Sequence, residues 1–553
     1  MLVDTTKDQR LRVRAVAGTH AILLGFDMDE ADCVGLRGFA LHRTDHAEDE
    51  AYWLEGMRTF EKTDPGLPPG TRHSTRKHPV QDFSWADYSA KAGRTYSYRV
   101  LALEGDPSNL TVRAEAKIDV RTEDPAASTH GVYFNRGAAS SQEYARRFGD
   151  REPGSVGGGT DPAWQWLSRG AHEAILAFVE EAAHAGGGLR VAAYEFRLPS
   201  VLEALKAAAG KGADVQILYD AGHEFPRDDN AEAVDDADLE GLCTLRVPRP
   251  LALSHNKFIV RLEGGAPTAV LTGSTNFSYG GVFGQSNVVH VAREPATAAA
   301  YLTYWDHLVG NPRRADLAAA LSGTWAVPDD LPHPNATTPL FSPQNSDDAL
   351  EWYAELAKRA NDGLFMTFAF GMHPLFQAAY QNGNAKLRYA MLDKLLGPGV
   401  RSAERPAAIA AMTALRKLPG NRFAVGAPLR GNALERWLRE DLTTLNSHVR
   451  YVHTKYMLVD PLGADPIVVT GSANFSKAST VENDENMMII RGDTRVAHVY
   501  LTEFMRLWQH YSFREWAGRE QPSGPWHLDT TDGWWQRHFG DGDLSRHRAY
   551  FAP

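Results

Sequence analysis

Two short clusters in this sequence have the residue types for one chemistry. His255-Asn-Lys257 is followed by Gly273-Ser274-Thr-Asn276-Phe277, and His453-Thr-Lys455 by Gly471-Ser472-Ala-Asn474-Phe475. Each of the matching residues in the first cluster lies 198 positions before its counterpart in the second. Two Lys, two Asn and two Ser make a ring of donors for an anion with several oxygens. That suits a phosphodiester and the charge that develops on it as it reacts. Two His supply a nucleophile and a general acid–base partner near neutral pH, one attacking phosphorus to form a phosphohistidine and the other protonating the leaving alcohol and then activating water. The sequence offers no Asp/Glu/His metal cage beside them, so the lysines are expected to carry the positive charge, with no cofactor and no metal. One His-x-Lys on a strand, both side chains on one face, is an ordinary polar pair. Two at the same spacing, each with its own Gly-Ser-x-Asn, are expected to form a single site.

The elements that must hold these clusters are also duplicated. Helical periodicity over Ala171–Ala183 precedes a strand at Leu189–Phe196, a helix at Ser200–Ala209 and a strand at 213–219 that ends in Asp220. The order recurs as a helix at Asp347–Ala357, a strand at Leu364–Phe370, a helix from Pro374 and a strand at Leu387–Leu392 that ends in Asp393. Repetition of this length means two copies of one supersecondary unit, each a sheet flanked by helices, related by a pseudo-two-fold with the His-x-Lys strands at the interface. The second copy has a longer insertion, from Gly397 to Gly431, carrying Arg401, Arg405, Arg416, Lys417, Arg422 and Arg430. It is expected to be either a substrate-selecting loop or a solvated excursion.

His453-x-Lys455-x4-Asp460 with Gly471-Ser472-x-Asn474 resembles the signature of the phospholipase D superfamily, and so does the first cluster over roughly residues 165–515. The resemblance implies a bilobal α/β fold, metal-independent phosphodiester chemistry and a covalent phosphohistidine. It implies His255 as nucleophile and His453 as acid. The catalytic set is then His255, Lys257, Ser274, Asn276, His453, Lys455, Ser472, Asn474 and Glu485, with Asp460 structural. The first copy departs from the signature, since Leu262 stands where Asp460 stands in the second. Members often orient each His with a carboxylate from the opposite half. The second half offers Glu485 for His255, whereas Gln285-Ser286-Asn287 of the first half contains no acid.

Residues 10–122 read differently. Strict alternation over Leu110–Val120 and over Tyr96–Leu101, with turns at Gly93 and Gly105, predicts short antiparallel strands. The pattern resembles fibronectin type III modules. The expected architecture is a duplicated phospholipase D-like bilobal α/β fold preceded by an all-β sandwich. Its expected parts are 1–125 for the sandwich, 126–328 for the first half and 329–553 for the second. Gly131–Gly137 is expected to cap or line the first half, and Gly154–Pro162 to be a linker. The aromatic-rich end, from Trp508 through Trp516, Trp526, Trp534, Trp535 and Phe539 to Phe551, is expected to pack as a clasp or to form a lipid-facing or base-stacking surface.

Composition narrows the partners. The chain has 553 residues, a net charge of −11 and 43% apolar residues, which describes a globular protein rather than a basic nucleic-acid coat. Cys33 and Cys243 are far apart and fit a reducing compartment or buried thiols. No stretch has the length and apolarity of a membrane span, and the N-terminus lacks a signal-peptide core. The expectation is a soluble protein, cytoplasmic or exported without such a signal. The expected substrate is a phospholipid or membrane surface, with nucleic acid as the alternative and a binding protein with a decayed site as the third reading. No obligate protein partner is expected, because one chain holds both clusters.

Overall fold

The computed structural model describes residues 1–5, 10–67, 71–137, 141–149, 151–154, 161–222, 224–249, 252–397, 400–426, 451–519 and 527–553. Residues 155–160 of the glycine-rich stretch, Arg430-Gly431 and Trp526 lie outside them.

Two seven-stranded sheets have the same topology. The first runs His130–Phe134, Val288–Ala292, Ala266–Gly273, Lys257–Glu263, Gly187–Ala193, Asp214–Asp220, Cys243–Arg246. The second runs Ala336–Ser342, Glu485–Arg491, Ile467–Gly471, Tyr456–Val459, Gly363–Phe368, Leu387–Leu392, Asn421–Val425. In each, three strands are parallel and the rest pair antiparallel. The central strands are nearly continuous apolar runs because both of their faces are covered. Parallel neighbours need crossover connections, and Pro199–Gly210 and Pro374–Asn382 supply the first of these in each half.

The duplication predicted from spacing is therefore present. His130–Phe134, within the stretch expected to cap or line the first half, is the edge strand of its sheet, paired with Val288–Ala292, and Asn135 just beyond it accepts from Asn287 N at 2.9 Å. Such long-range antiparallel pairing leaves no local signal in the sequence.

The helices Pro295–Val309 and Thr494–Arg519 follow the last sheet strand of each half. One buried core runs through both halves, from Val191 and Phe258 to Tyr389, Tyr456 and Phe504. Ahead of it, two four-stranded antiparallel sheets form the expected sandwich. One holds Leu2–Asp4, Arg12–Ala17, Ile22–Asp27 and Ser84–Asp87, and the other Asn109–Arg121, Thr95–Asp106, Leu36–Asp45 and Glu50–Trp53. Phe26, Phe39 and Phe83 meet between them, with ring centroids 5.0 and 5.3 Å apart.

The end of the chain closes this sandwich. Trp534 and Trp535 are part of its core, and Trp534 Nε1 donates to Leu36 O at 2.7 Å. The segment 527–553 thus ties the sandwich to the second half, where His547 Nδ1 lies 2.7 Å from Tyr389 OH. Among the described residues no helix is long and apolar enough to cross a membrane.

Candidate active site

The site lies where the two sheets meet, and each histidine is placed by the opposite half. The strands begin at Lys257 and Tyr456, so both histidines lie just ahead of them rather than in them. The reason is main-chain pairing across the halves. His255 N donates to Asp484 O at 2.9 Å, and His453 N donates to Ser286 O at 3.2 Å. Two buried aspartates hold the same segments from within their own half. Asp220 accepts from Ser254 N at 2.6 Å, and Asp393 accepts from Tyr451 N and Val452 N at 2.9 and 3.1 Å. The sequence marked these aspartates only as strand ends.

Each ring is oriented across the interface as well. His255 Nδ1 donates to Glu485 Oε2 at 2.9 Å, the contact expected from the sequence. His453 Nδ1 lies 2.8 Å from Asn287 Oδ1. Asn287 and Glu485 are themselves 198 positions apart. The first half therefore does provide an orienting group at the matching position, an amide in place of an acid. Sequence reasoning looked there for a carboxylate and passed over the amide. Each orienting residue follows a short π-helical turn, Gly280–Gly284 in one half and Ala478–Glu482 in the other, and such turns gather at functional sites.

The remaining residues surround these rings. Lys257 Nζ donates to His255 O at 2.5 Å, and Lys455 Nζ to His453 O at 2.6 Å. Ser274 Oγ donates to Asn287 Oδ1 at 2.8 Å, and Ser472 Oγ accepts from Asn486 N at 3.0 Å. The serines thus brace the turn that carries the orienting residue. The glycine before each serine permits that closeness, since a Cβ on Gly273 would lie 2.3 Å from Val288 O and one on Gly471 2.2 Å from Asn486 O. Asn276 and Asn474 keep a buried Oδ1 without a hydrogen-bond partner.

Two residues beyond the expected set line the first-half side. The Tyr194 ring lies 4.8 Å from the His255 ring and 5.1 Å from Lys257 Nζ. Glu195, also buried, accepts from Ser278 Oγ at 2.6 Å. Phe368, on the matching strand of the second half, packs in the core against Phe376 and Phe475.

Asp460 ties down backbone of its own half. Its backbone is left-handed, φ 48°, and its carboxylate accepts from the N–H groups of Asn361, Asp362 and Gly363 at 2.7–3.1 Å. Its first-half counterpart Leu262 stays within a strand that continues to Glu263, pairs with Gly188 and is buried.

Electrostatics set the ionisation states. Burial, reinforced by Lys257 and Lys455, pushes both histidines well below the usual range, so both rings are neutral near pH 7. Burial also pushes Lys257 down to about 8, with Glu485 and Glu195 opposing it. Burial pushes Glu485 up to about 7 while Lys257 draws it back. A neutral ring held at Nδ1 by an acid leaves its other nitrogen free to attack. Burial and Lys257 push Lys455 well below the usual lysine range, and an anion bound between the two lysines would favour their charged forms.

Residues 178–309 and 422–508 match a family model described as "Cardiolipin synthase, PLD-like domain". No curated protein matches the chain. Among solved structures it is similar to a polyphosphate kinase from Porphyromonas gingivalis, at 13% identity and TM-score 0.36, over 59% of this chain and 46% of that one. It thus spans under half of that kinase's length. It is similar to a phosphatidylserine synthase from Haemophilus influenzae, at 14% identity and TM-score 0.42, over 64% of this chain and 88% of that one. A third is Nuc from Salmonella typhimurium, a phospholipase D family member, at 20% identity and TM-score 0.22, over 32% of this chain and 95% of that one.

Proposed function

This chain belongs to the phospholipase D superfamily, and from that premise we propose that it cleaves the headgroup phosphodiester of glycerophospholipids through a phosphohistidine on His255. The observation that carries this reading is the unequal pair of orienting groups, Glu485 on His255 and Asn287 on His453. A histidine that attacks phosphorus gains positive charge, which the carboxylate of Glu485 stabilises. A histidine that hands its proton to a leaving group needs orientation but not an anion that would hold the proton back.

In the first step the free ring nitrogen of His255 forms a bond to phosphorus and the bond from phosphorus to the leaving oxygen breaks. His453 gives that oxygen its proton. The bound diester supplies the negative charge that favours protonated His453 in a site that otherwise keeps it neutral. Lys257, Lys455, Asn276 and Asn474 face the phosphoryl oxygens as charge builds on them. In the second step water attacks phosphorus, His453 takes its proton, and the phosphorus–nitrogen bond breaks. An alcohol in place of water gives headgroup transfer by the same route.

The test is a substrate panel in EDTA. It contains bis(p-nitrophenyl) phosphate, phosphatidylcholine and phosphatidylglycerol vesicles, and single- and double-stranded DNA and RNA. Turnover of the small diester and of lipid is expected. Loss of all activity on chelation would overturn the mechanism, and turnover of nucleic acid without lipid would overturn the substrate. His255→Asn is expected to give no covalent phospho-enzyme and His453→Asn to accumulate one from an activated diester. The reverse pattern would exchange their roles.

A further inference from the structure

The two halves carry the same machinery but differ on either side of it. Ala193 pairs with Tyr219, the residue before Asp220, and Phe368 pairs with Leu392, the residue before Asp393. Ala193 and Phe368 are therefore equivalent, and so are Tyr194 and Ala369, Glu195 and Phe370, Ala221 and Lys394, and Gly222 and Leu395. Where the first half has a buried carboxylate and small residues, the second has a half-buried phenylalanine, a cation and a leucine. These substitutions line an open cavity of about 420 Å³ bounded by Ala369, Phe370, Leu395, Leu396 and Ile409, with Lys394 and Arg405 also on its wall.

The cavity wall adjoins one of the residues that position the site. Lys394 follows Asp393, whose carboxylate holds the segment entering His453. Its size is that of a small-molecule pocket, about 300–1,000 Å³. Apart from Phe370, Lys394 and Arg405 its walls are aliphatic or glycine, and among the described residues no acid lines it. Lys394 and Arg405 are exposed, and among the described residues neither is in a salt bridge. Ile409, on the helix Arg405–Arg416, is 43% exposed. Arg416 of that helix binds Glu515 at 2.7 Å, near Phe513, which is also exposed. A nucleic-acid path would present cations with stacking rings along a groove. Here aliphatic walls sit beside two cations, on a chain whose net charge is −11.

We propose that this cavity is an acyl-chain subsite that opens onto an anionic lipid surface. One chain of the substrate lies along Phe370, Leu395, Leu396 and Ile409, while Lys394 and Arg405 meet the phosphates of neighbouring lipids. The proposal rests on the phosphodiesterase reading above and specifies the membrane that the enzyme works on. Two cations close to an anionic surface together strengthen attachment by roughly tenfold or more.

The test compares kcat/KM on phosphatidylglycerol vesicles, on phosphatidylcholine vesicles and on bis(p-nitrophenyl) phosphate, for the wild type, for Lys394→Glu with Arg405→Glu, and for Ile409→Asp. The wild type is expected to favour the anionic vesicles at least tenfold. The charge-reversed variant is expected to lower the ratio of phosphatidylglycerol to small-diester turnover at least tenfold, and Ile409→Asp to lower both vesicle ratios. Wild-type protein inert toward the small diester would overturn the catalytic reading and this one with it. Wild-type protein active on the small diester but indifferent to vesicle charge, or with vesicle ratios that the variants leave unchanged, would overturn the subsite alone. Turnover of the small diester and of nucleic acid without lipid would overturn the lipid substrate and, with it, the subsite.

Discussion

The two histidines differ because one faces an acid and the other an amide, and this difference sets the pH response. In the proposed mechanism Glu485, at about 7, must be ionised to stabilise a charged His255, and Lys257, at about 8, must be protonated to hold the phosphoryl oxygens. The kcat/KM profile is therefore expected to fall below about 7 and above about 8. Glu485→Gln should lose the acid limb and lower kcat by about 10²–10⁴. Burying these charges also costs stability. Lys257 has a lower value folded than unfolded, so between about 8 and 10.5 the unfolded chain binds more protons and stability rises with pH; below that window the full cost is present. Lys257→Met is expected to inactivate the enzyme yet stabilise it at pH 7 by on the order of 2 kcal/mol, a gain that shrinks toward pH 10.5 in thermal unfolding. Glu485 was legible in the sequence because it is an acid that follows Gly-Ser-x-Asn of the opposite half, where the family resemblance calls for one. Asn287 was not, since an amide among polar loop residues carries no signal until the ring it orients is placed beside it.

At the scale of elements, matched spacing does more than matched identity. The π-helical turns, the braced serines and the glycines that allow close strand approach are local devices at equal offsets; Gly-Ser-x-Asn marked the serines and glycines, though the serines were read as donors to an anion rather than as braces. The edge strands His130–Phe134 and Ala336–Ser342 were hidden because each pairs with a strand about 150 residues away. In the first copy Leu262 is still paired with Gly188, after a register shift at Arg261, whereas in the second half the chain turns at Asp460 and three N–H groups depend on its carboxylate. Asp460→Ala is expected to cost about 1–3 kcal/mol in denaturant unfolding, with kcat within a few-fold of the wild type. A loss of activity without loss of stability would instead give Asp460 a part in the chemistry.

Over the whole molecule, the duplicated halves and the sandwich follow the order read from the sequence, but the end of the chain does not stay with the half that precedes it. Trp534 packs at 5.7 Å from Phe83 and 6.4 Å from Phe39, inside the N-terminal sandwich. Aromatic content alone could not choose between a clasp and a lipid-facing surface. Trp534→Ala is expected to destabilise by about 3–5 kcal/mol and to make the sandwich the first region cut in limited proteolysis, with kcat retained below the transition. The bonds from His255 N to Asp484 O and from His453 N to Ser286 O have a mechanical consequence. They behave as two pins through a closed hinge: a rotation that spread the halves would pull both rings out of register together. Substrate and product are then expected to enter and leave while the halves stay together.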